Sequence, residues 1–443
     1  NPLRLFTLSA RGARPALDVS MHTLEGLAMV EFEPTFPDND VQAQNGYAHV
    51  KKAVGRLRQA SGLQHFCTIA VDEFRELTGL DRVMVHKFHA DGHGEVYAES
   101  RRADLPPWLG LHYPAEDIPV PAREVFKRAW IRPTPDVKGA LAGMVPLVNP
   151  QTGRPLTMTH CALRGASVMY TEYLQTMGVT AGLTMALRRG DELWGLIAGH
   201  HYSGVARLPF EVRAACELLA QVVSLQHQAI ENQEHLAYRL SREAIHQQLI
   251  AQASEESGLT AMTDGTPTML EATQADGVAL YHHDRWRRVG QTPSDAELDA
   301  LAQWLNARAE FADSTRPVFV TDRLAVDYPP AAAFSRVASG LLALPLTASR
   351  GTLVLWFRTE TLQTVQWRGD PKHDIKVIGP HGLRLTPRRS FELFAESVAR
   401  RSAPWQAVDV DLALRFRLLV KDLVVSRAER LAELNIDLER SNE

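Results

Sequence analysis

The chain has 443 residues, of which 45% are hydrophobic and 23% charged, the balance of an ordinary folded protein and not of a disordered one. Lys plus Arg number 48 against 52 Asp plus Glu, so the formal charge is −4 and the basic excess that a nucleic-acid partner would call for is missing. Three dispersed cysteines (Cys67, Cys161, Cys216) exclude a disulfide framework and a CxxC zinc site, and they fit a reducing, cytoplasmic setting.

At roughly 150 residues per domain the length suggests about three domains. Residues 1–35 carry two β-rich runs, Leu3–Leu8 and Leu27–Phe32, with Gly12 and Pro15 between them. So short a segment cannot bury a core of its own and reads as the end of a larger domain. The chain opens on Asn1 with no signal peptide, and is expected to begin inside a longer protein. Residues 36–47, with Pro37, Asp38, Asn39, Asp40 and Gly46, read as a linker. A helix is expected through Val50, Val54 and Leu57, and a second through Phe66, Ile69, Ala70, Phe74 and Leu77, started by a capping box of Ser61 and Gln64.

Alternation over Asp81–Phe88 places Met84, His86 and Phe88 on one face of a strand and Val83 and Val85 on the other. Asp91-Gly92 marks the turn to a strand at Glu95–Glu99. After a long irregular stretch over residues 100–160, strands are expected at Gly182–Leu187 and Leu193–His201. From Glu211 to Ser257 there is no Gly or Pro. As one helix that stretch would extend on the order of 70 Å, longer than a domain needs, and it reads as a connecting spine or dimer contact.

The α+β theme repeats in residues 270–425. Strands are expected at Gly277–Tyr281, Arg285–Val289, Pro317–Val320, Leu341–Leu346 and Leu353–Phe357, and a helix is capped by Ser294 with Glu297. The most apolar run, Gly340–Phe357, is broken by Pro345, Ser349 and Arg350 and makes a poor membrane span. Residues 361–391 form a long Gly- and Pro-containing insertion, of a length that usually serves function. At the end, Val420, Val424, Arg427, Leu431, Leu434 and Leu438 follow a heptad seam with one Arg interruption, as in a two-stranded coiled coil.

The most specific local signals are Gly92-His93-Gly94-Glu95-Val96, Ala98-Glu99-Ser100-Arg101-Arg102 and Leu109-Gly110-Leu111-His112-Tyr113-Pro114-Ala115-Glu116-Asp117-Ile118-Pro119. To these are added Trp194-Gly195-Leu196-Ile197-Ala198-Gly199-His200-His201-Tyr202, Trp367-Arg368-Gly369-Asp370 and Pro387-Arg388-Arg389-Ser390-Phe391-Glu392. The first segments resemble the chromophore-binding GAF domain of phytochromes, in particular the bacterial biliverdin-binding group, and the last two resemble the tongue of the phytochrome PHY domain.

The resemblance implies an α+β chain of tandem GAF-like domains, antiparallel sheets flanked by helices, joined by a long helical spine. It divides the chain into a partial PAS domain at 1–35, a GAF domain at 48–230, a PHY domain at 231–425 with its tongue at about 361–396, and a coiled-coil output linker at 426–443. It implies biliverdin, a linear tetrapyrrole, in the GAF domain, photoisomerisation at the double bond joining its C and D rings, red/far-red interconversion, a homodimer, and a C-terminal histidine kinase acting on a response regulator. The chain itself contains no catalytic constellation, and neither nucleic acid nor membrane is expected as a partner.

A tetrapyrrole is a flat apolar body with two propionates, so it needs an apolar slot and cationic clamps. The resemblance assigns the clamps to Arg132 and Arg164, whose guanidinium can hold a carboxylate bidentately. It puts Asp117, Ile118 and Pro119 at the pyrrole nitrogens and His200 near the D-ring carbonyl. Met84, His86, Tyr113, Tyr170, Tyr173 and Thr184 complete the pocket. Arg388, with Ser390 and Trp367 in the tongue, would pair with the Asp117 side chain, although an Asp there could also simply cap a helix.

His200 and His201 are adjacent on a strand and face opposite ways, so they cannot easily share an ion, and His160 with Cys161 is no more convincing; no metal is expected. Met169, not Cys161, occupies the position where plant and cyanobacterial members attach bilin; the bacterial group uses a cysteine ahead of the PAS domain. Cys67 and Cys216, in apolar helical runs, are expected in the core.

Two pocket positions depart from the pattern. His86 stands where Tyr is usual and Tyr170 where His is usual, while Gly182 replaces a small hydroxyl residue that Thr184 still supplies. Tyr stays neutral at pH 7 where His changes charge. The two rings could compensate by approaching one another, or the protein could be a light-independent sensor. A purely structural dimerisation scaffold is the third reading, against which the joint presence of Arg132, Arg164, Asp117, His200 and Arg388 argues.

Overall fold

A computed structural model describes residues 2–9, 16–35, 46–255, 258–308, 311, 317–346, 352–361, 363–368, 376–379, 382–385, 393–398 and 400–442. They divide into two compact units, residues 1–232 with 365–396 and residues 233–364 with 397–443.

The first unit opens with three antiparallel strands, β1 (Leu3–Leu8), β2 (Leu17–Leu24) and β3 (Leu27–Pro34), in the order β1-β2-β3. The sequence reading had only the outer two. Strand β2 alternates weakly, with the polar Ser20 and His22 buried along with Val19, and so gave no period-2 signal. The linker expected at 36–47 lies outside the described residues as far as 45. From Gly46 the chain is helical: α1 (Gly46–Leu57) and α2 (Leu63–Thr78) bury the anticipated Val50, Leu57, Phe66, Ala70 and Phe74. The capping box expected at Ser61 does not form. Gly62 is the N-cap of α2, Ser61 contacts the His65 ring, and the Gln64 amide donates to the Tyr97 carbonyl at 2.6 Å.

Next come β4 (Arg82–Phe88), β5 (Gly94–Arg101) and a two-residue β6 (His112–Tyr113), followed by α3 (Val120–Phe126), β7 (Ile131–Thr134), α4 (Val168–Thr176), β8 (Ala181–Arg189) and β9 (Glu192–His201). The stretch expected to be irregular over 100–160 therefore contains two short strands and a two-turn helix, each too brief to display a period. The sheet runs β6-β5-β4-β9-β8-β7, and strands Gln363–Arg368 and Leu393–Val398 extend its β6 edge. Trp367 pairs in parallel with His112 there.

One face of this sheet, with Val83, Val85, Leu183, Met185 and Ile197, packs on α2 and on the start of α5 (Phe210–Glu255). Cys67 and Cys216 are buried in that core, where desolvation pushes the Cys67 thiol up to about 12 and the Cys216 thiol higher still. The opposite face carries Met84, Val96 and Ala198 and bounds the cavity described below. Arg213 of α5 grips Glu33 of β3 with both guanidinium nitrogens, at 2.8 and 2.5 Å. As far as Glu255 the Gly- and Pro-free stretch is one helix, and residues 233–255 of it belong to the second unit.

The second unit holds β10 (Gly277–His282), β11 (Arg285–Gly290), α6 (Asp295–Asn306), β12 (Phe319–Thr321), β13 (Gly340–Pro345) and β14 (Leu353–Arg358), with sheet order β11-β10-β14-β13-β12. The capping box at Ser294 and Glu297 is formed here. The apolar run Gly340–Phe357 supplies two fully buried strands, β13 and most of β14, and no described helix is long and apolar enough to cross a membrane. One face of the sheet packs on α6; the other, with Trp356, Leu342 and Val354, packs on Leu249 and Ala253 of α5 and on Val410, Ala413, Phe416 and Val420 of α7 (Ala407–Asn442). The expected insertion contains two short antiparallel strands, Lys376–Gly379 and Gly382–Leu385. Tandem α+β domains of antiparallel sheets flanked by helices are what the structure contains.

Candidate functional site

In the first unit the second face of the sheet closes a cavity of about 480 Å³. Its floor is His86 of β4, Leu196, Ala198 and His200 of β9 and Thr184 of β8; its walls are Trp108, the Tyr113–Phe126 segment, Arg132 of β7, the Arg164–Ser167 loop and α4. The volume falls in the ordinary range for pockets that enclose a small organic molecule, and the lining is mostly apolar.

Strand periodicity accounts for much of the floor. His200 on β9 faces the cavity, whereas His201 turns away and places Nδ1 3.1 Å from Asp81. The two histidines therefore serve opposite faces, as expected from the pleat. A bulge between Val85 and His86 in the β4–β5 pairing re-aims His86, whose ring meets the Tyr113 ring edge-on at 5.4 Å. Burial pushes the His86 imidazole down to about 4, so it is neutral, and its Nδ1 is buried without a hydrogen-bond partner among the described residues.

Asp117 lies in a single 3-10 turn (Ala115–Asp117) ahead of α3, and Pro119, not Asp117, is the N-cap of that helix. The capping alternative is therefore not realised. Instead the Tyr173 hydroxyl donates to Asp117 Oδ2 at 3.3 Å. Tyr170 donates to or accepts from Thr184 Oγ1 at 3.0 Å and is not paired with His86; the imagined compensation by ring contact is absent. Arg132 and Arg164 are half-buried at one side of the cavity, and neither forms an ion pair among the described residues. Desolvation lowers both, and the neighbouring Arg132 helps push Arg164 down to about 10. Two guanidinium groups that share a half-buried wall and have no ion pair among the described residues suit an anionic ligand.

Asp117, Ile118, Pro119, Arg132, Arg164, Tyr170, Tyr173, Thr184, His200, His86 and Tyr113 all line the cavity. Met84 does not: it is fully buried in the apolar layer on the same face of the sheet. Met169 is on the wall, while Cys161 lies buried near His22 and outside the lining. Arg388 and Ser390 lie outside the described residues, as does the Trp367 side chain.

Two elements of the site were not anticipated. Trp108 meets His200 edge-on at 5.9 Å and carries the Arg82 guanidinium over its other face at 3.6 Å, with Arg82 paired to Glu99 at 3.2 Å. Arg123 of α3 donates to the carbonyls of Gly92, Ala115 and Ile118 and so fixes the loop that presents Asp117 to Pro119. Neither residue belongs to a periodic pattern; only the third dimension gives them partners.

Residues 62–230 match the GAF domain family, and residues 242–429 match the family described as the phytochrome region, PHY. The chain is 39% identical over 445 residues to cyanobacterial phytochrome A of Nostoc sp., covering 100% of this chain and 57% of that protein. It is 40% identical over 421 residues to a phytochrome-like protein of Synechocystis sp., covering 94% and 55%. It superposes on a bacteriophytochrome from the photosynthetic bacterium R. palustris with a TM-score of 0.80 at 36% identity, over 97% of this chain and 84% of that one. The phytochrome photosensory core module of Stigmatella aurantiaca gives 0.75 at 36%, over 95% and 82%. The chain belongs to the phytochrome family and is a phytochrome photosensory module. It spans little more than half the length of the curated relatives it matches.

Proposed function

We propose that this chain is the red/far-red light-sensing module of a bacterial phytochrome, with biliverdin as its linear tetrapyrrole. When bound, that group supplies visible absorption and a double bond that light isomerises. The observation that carries the reading is the pair Arg132 and Arg164, which line an apolar cavity and have no acidic partner among the described residues. Their guanidinium groups would hold two propionates. His86 Nδ1, buried and unpartnered, and the Tyr173–Asp117 pair offer polar contacts to the ring system. Apolar walls exclude water and limit the motions open to the bound group.

Under this reading, residues 1–35 end a PAS domain, 48–230 form the GAF domain, 231–425 form the PHY domain with its tongue at 361–396, and 426–443 lead to the output domain. Arg388, Ser390 and Trp367 of the tongue would relay the state of the pocket through Asp117. The whole protein would act as a cytoplasmic homodimer whose histidine kinase passes phosphate to a response regulator.

The test is to add biliverdin to the purified full-length protein and record absorption after red and after far-red light. A reversible red/far-red difference spectrum is expected. A bilin band that light leaves unchanged would favour the light-independent sensor, and the exchanged residues His86 and Tyr170 are the specific reason to include that outcome. No bound bilin would overturn the proposal.

A further inference from the structure

Three histidines outside the cavity lining meet at the turn between β4 and β5. His89 follows β4, His93 sits in the turn and His112 lies on β6, and one nitrogen of each is within 4.8 Å of the others. Backbone pairing builds the arrangement. Gly92, at φ 89°, closes the turn by donating its N–H to His89 O, and His89 N donates to His93 O, each at 2.9 Å. The β5–β6 register then sets His112 opposite Glu95. As a result the His89 and His93 rings stack 4.2 Å apart with planes 6° off parallel, and the His112 ring lies 5.8 Å from His89 and 5.0 Å from His93.

Two carboxylates orient this cluster. Asp91 Oδ1 lies 2.5 Å from His93 Nδ1, and Glu95 Oε2 lies 3.0 Å from His89 Nε2. A carboxylate on one ring nitrogen fixes the tautomer and leaves the lone pair on the other, the arrangement that metal-ligating histidines have. Stacked imidazoles repel one another if both are charged, and an ion would be held once the two rings turn so that their in-plane lone pairs converge on it.

We propose that His89, His93 and His112 form a binding site for a late first-row divalent cation of the zinc type, with water available for the fourth position. Three imidazole nitrogens select such ions over magnesium and calcium, and three protein ligands with one open position is an established zinc pattern. The sequence pointed elsewhere because two ligands come from the β4–β5 connection and the third from β6, and only β5–β6 pairing unites them. An ion there would brace the border of the pocket. His112 adjoins Tyr113, and Arg123 ties Gly92 to the Ala115–Ile118 loop.

The site is tested on tag-free, full-length apoprotein stripped with chelator and titrated with zinc chloride by calorimetry. The readout needs no bilin, so it is independent of the light-sensing proposal. One zinc per chain is expected, unaffected by excess calcium. His89→Ala and His93→Ala should each weaken it by at least about tenfold, and Asp91→Asn, which removes only an orienting carboxylate, by about tenfold. His93→Gln keeps a polar side chain beside Asp91 and replaces His93→Ala if the latter does not fold, as judged by circular dichroism. Absence of zinc binding by the parent protein would overturn the proposal, as would undiminished binding by the His89→Ala/His93→Ala double variant.

Discussion

The two arginines of the cavity and a histidine in the core behind it show opposite uses of burial. Arg164 is held charged in a desolvated wall next to Arg132, a placement that weakens the ligand-free protein. Arg164→Ala is therefore expected to raise the thermal midpoint of the apoprotein slightly while weakening bilin uptake about ten- to a hundredfold, the worth of a charge-assisted hydrogen bond or two. Parallel melts and bilin titrations check both halves. A fall in apoprotein stability would mean the guanidinium has a structural partner instead.

His227 of α5 is buried with its ring 4.1 Å from that of Trp194, and both its ring nitrogens lack hydrogen-bond partners among the described residues. Desolvation pushes it down to about 4, against the opposing pull of Glu231 and with smaller contributions from Arg189 and Lys87. The unfolded chain binds this proton near the ordinary histidine value of about 6.5. Between those values the unfolded state holds more protons, so stability is full above pH about 6.5 and declines as pH falls toward about 4. His227→Leu should remove that part of the slope and add about 1–3 kcal/mol at pH 7 by eliminating buried unsatisfied groups. Urea midpoints at pH 7 and pH 5 measure it.

At the scale of elements, the start of α7 is tied to its unit by one acid. Asp409 accepts from the Tyr238 hydroxyl at 2.7 Å, from Arg358 at 3.1 Å and from the Gln406 backbone at 2.9 Å, so it joins α7 to α5 and β14 within the second unit. Arg358 is buried, stacks on Trp405 at 3.9 Å and also donates to the Gln274 and Pro404 carbonyls. Asp409→Ala would leave that guanidinium without its counter-charge, at a cost of about 3–5 kcal/mol. Because the loss falls on the second unit, hydrogen exchange should rise in β14 and α7 while β4 and β9 keep their protection.

Elements of this kind were partly legible in the sequence. Long helices declared themselves through period, as in α2, buried strands through continuous apolar runs, as in β13, and the box at Ser294 through chemistry. The box at Ser61 failed because Gly62 takes the cap position and Gln64 finds the Tyr97 carbonyl. Pocket residues such as Arg132 and Asp117 were legible only through family motifs, since no period marks a side chain as cavity-facing. Trp108, Arg123 and the histidine cluster depend on strand pairing across loops, which spacing does not encode.

At the scale of the whole molecule, each unit has its own apolar core, and α5 contributes to both. The end of the chain is different. The apolar stripe of α7 begins inside the second unit, where Phe416 and Val420 are fully buried, and then outruns it: Val424 is 37% exposed and Leu434 52%. These positions continue the heptad spacing from Val420, so the stripe has the period of a two-stranded seam and, among the described residues, Val424 and Leu434 lie outside the core of the unit. A two-fold contact between identical stripes is the simplest way to cover it. Val424→Glu with Leu434→Glu is therefore expected to shift the protein from dimer toward monomer in sedimentation velocity at micromolar concentration. Bilin uptake should not change, because neither residue lies in the first unit. If the double variant sediments as the parent does, the seam is not what holds the copies together. The exposed stripe would then not be a self-contact, and Leu218 and Leu225 of α5, which are also exposed, would be the next surface to test.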